Sequence, residues 1–121
     1  NNNSVIYYGA VKNHSNEFFS LILNSKCFVL ASKLETPGLA ALEAAALGIP
    51  IIVTSEGCAK EYFGNIDTYY DGKRGDVKEL SDLIKKVFLN QNYGFVEFEQ
   101  IKKFSWDKCI DNQILVYEEL I

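Results

Sequence analysis

The stretches Cys27-Phe28-Val29-Leu30-Ala31 and Pro50-Ile51-Ile52-Val53 decide the fold of this 121-residue chain. Each is a continuous apolar run of strand length. Continuous rather than alternating runs are typical of parallel strands that are buried on both faces. Residues 37–47 lie between them and are rich in Ala and Leu, which favours a helix. A strand, a helix and a second strand in this order predict a parallel crossover unit.

The predicted crossover helix carries start and stop signals. Thr36 can accept hydrogen bonds as its N-cap, and Pro37 suits the first helical position because its missing N–H is not needed there. Gly48 can end the helix. Leu39 and Glu43 are four residues apart, so they share one face of this helix.

Working outward, the remaining pattern predicts further strands and helices on both sides of this unit. They are a strand over 5–8, a helix over 16–24 capped by Ser15, a short helix over 57–62, an edge strand over 68–70, a helix over 77–89 capped by Asp76, and closing helices over 93–103 and 106–120. The alternation predicts an α/β fold with an open, mostly parallel, Rossmann-like sheet of three or four strands. Doubly wound domains usually have more strands, so residues 1–121 are interpreted as one partial domain.

Composition excludes several classes of protein. There are 12 Lys and Arg against 16 Asp and Glu, and the net charge of −4 leaves no basic stripe for nucleic acid. No apolar run reaches the roughly 18 residues that span a bilayer. Residues 1–4 have neither the cationic stretch nor the apolar core of a signal peptide. The expectation is a cytoplasmic protein with at most a peripheral contact at the cytoplasmic face of a membrane.

The three cysteines, Cys27, Cys58 and Cys109, predict neither disulfides nor metal binding. Their number is odd and none has the spacing of a zinc ligand pair. They are interpreted as free thiols in a reducing compartment. Cys58 could stand where a nucleophile sits, but the sequence places no His beside it, so an inert thiol is expected.

The candidate site is the loop from Ser32 to Gly38, together with the loops at 9–15 and 54–58, because ligands of open α/β sheets bind beyond the carboxyl ends of the strands. The helix start presents free N–H groups that attract phosphate, and Gly38 allows close approach. Glu35 and Glu43 flank this start, and carboxylates accept hydrogen bonds from hydroxyls. A sugar nucleotide combines phosphate with many hydroxyls.

The full string over residues 29–44 resembles the E-x7-E signature of the family-four retaining glycosyltransferases of the GT-B fold. The similarity continues through residues 48–53 and 60–64 and ends at residues 104–106 and 117–120. The Thr-Pro-Gly-Leu version of the motif is similar to mannosyltransferase-like enzymes of surface polysaccharide assembly. The resemblance implies retaining transfer from a GDP- or UDP-linked sugar to a saccharide or lipid-linked acceptor, without a metal or other cofactor.

The resemblance also implies roles for individual residues of the donor site. Glu35 would contact the transferred sugar as the catalytic residue, and Glu43 would hold the ribose hydroxyls. The other donor-binding residues would be Gly38 and Leu39 through their backbone N–H groups, Thr36 and Pro37 in the same loop, and Gly9, Ala10 and Val11 beside the base. Pro37 replaces an aromatic residue of many relatives and offers no N–H.

The family's Arg and Lys, which neutralise the diphosphate, would precede Asn1. The resemblance therefore implies the second half of a donor-binding domain, whose acceptor would bind through an absent N-terminal domain, and which alone is expected to be inactive. A non-catalytic nucleotide-sugar-binding or scaffolding module remains the alternative. His14 is expected to be solvated and Trp106 to be a core anchor.

Overall fold

Three parallel strands form the centre of the computed structural model, which describes residues 4–34, 38–90 and 92–120. The strands are β1 (Phe28–Leu30), β2 (Ile51–Thr54) and β3 (Tyr69–Tyr70), in the order β1-β2-β3. Phe28 is in register with Ile51, and Val53 with Tyr69, so both pairs are parallel. The Rossmann-like α/β fold with a parallel sheet is confirmed, and β3 is an edge strand as predicted.

The described residues also form six helices. They are α1 (Asn16–Leu23), α2 (Leu39–Ala46), α3 (Ala59–Phe63), α4 (Val77–Leu89), α5 (Phe98–Lys102) and α6 (Trp106–Glu119). The bounds of α4 and its Asp76 cap agree with the prediction, and the Asp76 carboxylate accepts from the Lys78 N–H at 2.9 Å. The predicted helix over 93–103 is shorter, since α5 begins only at Phe98.

The core lies on both faces of β2, which explains its continuous apolar sequence. Ile51 and Val53 are buried against the helices α1, α2 and α3, whereas Ile52 is buried on the opposite face with Val87 of α4 and Tyr70. Every residue of β2 is buried. Parallel sheets require helices on both faces, and β2 has them.

Two predictions about packing are wrong. Residues 5–8 have no strand assignment, and Val5, Ile6, Tyr7 and Tyr8 are exposed. A strand forms only where a neighbour accepts its backbone hydrogen bonds, and β1 pairs with β2 alone among the described residues. Trp106 is 84% exposed, so it is not a core anchor.

Candidate functional site

The loops that follow the three strands meet at the carboxyl edge of the sheet. Gly72, just after β3, is buried, and a Cβ there would collide with the Thr54 hydroxyl. The same Cβ would lie 2.7 Å from the carbonyl oxygens of Ser32 and Lys33. Only glycine therefore lets the loop after β3 rest against the ends of β1 and β2.

Charged side chains line this edge in pairs. The Thr54 hydroxyl accepts from the Glu56 N–H at 3.2 Å, and the Glu56 carboxylate lies 3.6 Å from the Lys73 ammonium. The Asp71 carboxylate accepts from the N–H groups of Lys73 and Arg74, each at 3.1 Å. These bonds shape the turn that carries two cations, of which Lys73 stands beside the loop after β2.

Helix α2 starts at this same edge. Its N-cap is Gly38, which is buried and has no side chain to accept from the first N–H groups of the helix. The predicted cap at Thr36 and first position at Pro37 lie outside the described residues, and the helix is described from Leu39 onward. The Leu39 side chain is exposed. Uncapped N–H groups leave a helix start able to bind an anion.

Glu43 lies on the second turn of α2 and contacts a residue from a distant loop. Its Oε1 accepts from Nε2 of His14 at 3.2 Å, across 29 positions in the sequence. The Glu43 side chain is 33% exposed and that of His14 is 61% exposed. Glu43 also lines a mostly apolar cavity of about 340 Å³ between α2 and α5.

The loop that ends at His14 contains the predicted base-side residues. Gly9 has φ +73°, a conformation that favours glycine, and both Gly9 and Ala10 are exposed. Val11 is half-buried and lines an apolar cavity of about 350 Å³ with Phe18, Ile22 and other residues. Val11 thus anchors the loop to α1, while His14 connects the same loop to Glu43.

The structure describes some of the predicted site residues and not others. Glu35, Thr36 and Pro37 lie outside the described residues, so the catalytic prediction on Glu35 stays a prediction. The donor-binding roles of the remaining residues are also still predictions. His14 was expected to be solvated, and its side chain is 61% exposed, but its contact with Glu43 is a feature that the sequence analysis missed. No local pattern links two residues so far apart in the chain.

Two side chains in the described part of the chain have clearly shifted pKa values, and neither is among the predicted site residues. Burial raises the pKa of the Cys27 thiol above its ordinary value, and Cys27 precedes β1 at the amino end of the sheet. Burial also raises the pKa of Tyr69 to about 12, and its hydroxyl donates to the Gly64 carbonyl at 2.6 Å.

Metal and membrane features are absent from the part of the chain that the structure describes. Over residues 4–34, 38–90 and 92–120, no three His, Cys, Asp or Glu side chains are grouped as metal ligands. Within the same ranges, no helix has the length and apolar character that crossing a bilayer requires.

Comparison with known proteins gives two matches. The family model described as "Glycosyl transferases group 1" matches residues 1–105. An uncharacterized glycosyltransferase of Methanocaldococcus jannaschii is 34% identical over 110 residues, which is 86% of this chain and 31% of that protein. The chain thus spans about a third of the length of this relative. No solved structure matches the chain significantly.

The family match covers α1 to α5 and all three strands, including every residue of the candidate site. With a parallel α/β sheet whose carboxyl-edge loops converge, the chain belongs to the glycosyl transferases group 1 family.

Proposed function

We propose that this chain binds a nucleotide-diphosphate sugar, with GDP or UDP as the nucleotide. The proposed reaction is retaining transfer of the sugar to a saccharide or lipid-linked acceptor. One observation carries the proposal: the start of α2 and the cation-bearing turn after β3 both follow the carboxyl ends of strands, and Glu43 lies one turn further along α2. That edge is where ligands of open α/β sheets bind.

The proposed donor lies along the start of α2. The N–H groups of Gly38 and Leu39 would donate to the sugar or the diphosphate, since the N-cap leaves the first turn without a side-chain acceptor of its own. Glu43 would accept from the ribose hydroxyls, and residues 9–11 would face the base. Glu35, with Thr36 and Pro37 beside it, would position the transferred sugar.

The chemical demand of this reaction is stabilisation of the negative charge that develops on the departing diphosphate. A helix start and cationic side chains can supply it, so we propose transfer without a metal. Glu35 acts in this scheme by orienting the sugar. Paired carboxylates that form a glycosyl-enzyme must flank the same bond, and Glu43 is assigned to the ribose instead.

The finer assignment is a mannosyltransferase-like enzyme of surface polysaccharide assembly, located in the cytoplasm or peripherally at the inner membrane face. It is supported by the Thr-Pro-Gly-Leu form of the motif at residues 36–39. We propose that residues 1–121 alone transfer no sugar, because the cationic pair that the resemblance requires is not matched among them.

Calorimetric titration of the full-length protein with GDP and UDP tests the proposal. At least one nucleotide is expected to bind, Glu43→Ala to weaken it strongly, and Glu35→Ala to keep binding while abolishing turnover of the nucleotide sugar. Glu99→Ala, at an exposed residue of α5, is the matched control and should behave as wild type. If neither nucleotide binds, or if Glu43→Ala binds as wild type does, the proposal is wrong. Binding without any turnover would favour the non-catalytic module.

A further inference from the structure

We propose that His14 is a positioning residue for Glu43: it holds one carboxylate oxygen so that the other faces the ribose hydroxyls of the donor. The inference rests on the proposed function and adds to it a residue that the motif does not contain. Its basis is the 3.2 Å hydrogen bond from Nε2 of His14 to Oε1 of Glu43, which joins the loop before α1 to the second turn of α2.

The imidazole is held in place on its other sides by aromatic rings. The ring of Phe19 stacks on it, with centroids 5.7 Å apart and an interplanar angle of 15°. The ring of Phe18 meets its edge at the same centroid distance and 63°. Because Phe18 and Phe19 belong to the first turn of α1, the direction of Nε2 is set by the start of that helix.

The backbone at His14 is shaped for this contact. His14 has φ +57°, and it is the one non-glycine residue with positive φ in the described part of the chain. The next residue, Ser15, caps α1 by accepting from the Phe18 N–H at 3.2 Å, and its own N–H donates to the Lys12 carbonyl at 3.2 Å. The two hydrogen bonds of Ser15 therefore hold its neighbour His14 in the positive-φ conformation. Strained backbone of this kind often accompanies functional sites.

Stability does not account for the pair. Both partners are partly exposed, and exposed ion pairs and hydrogen bonds add little to the free energy of folding. Fixing a Glu side chain before a ligand arrives removes rotamer freedom that would otherwise be lost on binding. A carboxylate has two oxygens with several acceptor positions, so His14 can occupy one oxygen and leave the other for a diol.

Two variants separate the hydrogen bond from the aromatic packing. His14→Phe keeps a ring against Phe18 and Phe19 but removes the donor to Glu43. His14→Gln keeps an N–H donor on a flexible side chain and removes the ring. Asn13→Ala, one residue earlier in the same exposed loop, is the matched control.

The ligands are GDP or UDP, whichever the full-length protein binds, and its 2′,3′-dideoxyribose analogue. With the ribonucleotide, His14→Phe is expected to weaken binding up to about tenfold, because Glu43 must then lose its rotamer freedom when the ligand binds. His14→Gln should lie between His14→Phe and wild type, and Asn13→Ala should stay near wild type. With the dideoxy analogue, His14→Phe and wild type are expected to bind equally, because that ligand offers Glu43 no diol.

Each other result overturns the inference in a distinct way. Equal binding of the ribonucleotide by His14→Phe and wild type would show that Glu43 needs no positioning. An equal loss for both ligands would indicate a structural role of the loop instead. If the wild-type protein binds neither GDP nor UDP, the proposed function fails, and the role of His14 fails with it.

Discussion

Strand β2 and helix α6 differ in what surrounds them, although both carry many apolar side chains. All four residues of β2 are buried between two layers of helices. Helix α6 has 14 residues, all described, and none is buried; Trp106, Ile114 and Leu115 are exposed along it. Apolar sequence therefore produced a core in one region and only a helix in the other. Burial, rather than the presence of apolar residues, determines what each region contributes to stability.

The largest expected effect contrasts one side chain from each region. Ile52→Ala should lower the free energy of unfolding by about 3 kcal/mol, since it leaves a cavity beside Val87 and Tyr70. Trp106→Ala removes a larger side chain but should change the free energy of unfolding by less than about 0.5 kcal/mol, because Trp106 is exposed. Urea unfolding followed by far-UV circular dichroism measures both. A similar loss in the two variants would contradict the comparison.

A second pair of variants tests how closely the chain packs around β2. Gly94 and Gly48 both have positive φ, at +77° and +81°. A Cβ on Gly94 would lie 2.7 Å from the Ile51 carbonyl oxygen, whereas nothing lies within 4 Å of one on Gly48. Gly94→Ala should destabilise the protein by about 3 kcal/mol and Gly48→Ala by about 1 kcal/mol, from backbone strain alone. Thermal unfolding compares them, and equal losses would mean that space around β2 is not limiting.

The helix caps provide a smaller effect with the same contrast. Asp76 caps α4, and the Ser105 hydroxyl caps α6 by accepting from the Lys108 N–H at 3.3 Å. Asp76→Ala should lower the free energy of unfolding by about 1 kcal/mol, because Val87 joins α4 to the core. Ser105→Ala should reduce helix content while leaving the midpoint of unfolding unchanged. An unchanged midpoint for Asp76→Ala would show that α4 is not part of the cooperative unit.

Sequence patterns predicted elements better than they predicted neighbours. The bounds of α4 followed from Asp76 and the helical spacing of Leu80, Leu83 and Val87, all of which are local signals. Residues 5–8 have strand composition, yet pairing depends on a neighbouring strand that composition does not reveal. Trp106 was expected to be buried on the same basis. A side chain's size predicts its preference for a core, not whether a core lies beside it.

In the candidate site, too, the sequence predicts the location but not the tertiary contacts. The convergence of loops at the carboxyl edge was predictable, because parallel strands end at the same edge. How closely these loops approach one another depends on Gly72, where an added Cβ would collide with Thr54 and with the Ser32 carbonyl oxygen. These residues are far apart in sequence. The contact of His14 with Glu43 is likewise tertiary. It depends on the loop conformation at φ +57°, which residue spacing cannot specify.

The smallest effect leaves the fold unchanged and compares the regions by thiol reactivity. Cys27 lies beside β1 and packs against the cluster of Ile52 and Val87, whereas Cys109 is exposed on α6. Burial raises the pKa of the Cys27 thiol above its ordinary value. Since the thiolate is the reacting form, Cys27 should be alkylated at least about tenfold more slowly than Cys109 at pH 8. Peptide mass spectrometry after timed iodoacetamide labelling measures both rates.

The labelling rate of Cys27 is also expected to depend on pH in a defined direction. Because burial holds the pKa of the Cys27 thiol above that of an ordinary free thiol, which is about 8.5, its labelling rate should still be rising with pH where the rate of an ordinary thiol has levelled off. In concentrated urea, where burial no longer raises the pKa, Cys27 and Cys109 should react at similar rates. Rapid labelling of Cys27 in the folded protein at pH 8 would mean that β1 opens readily to solvent. The strand at this edge of the sheet would then resemble α6 more than β2.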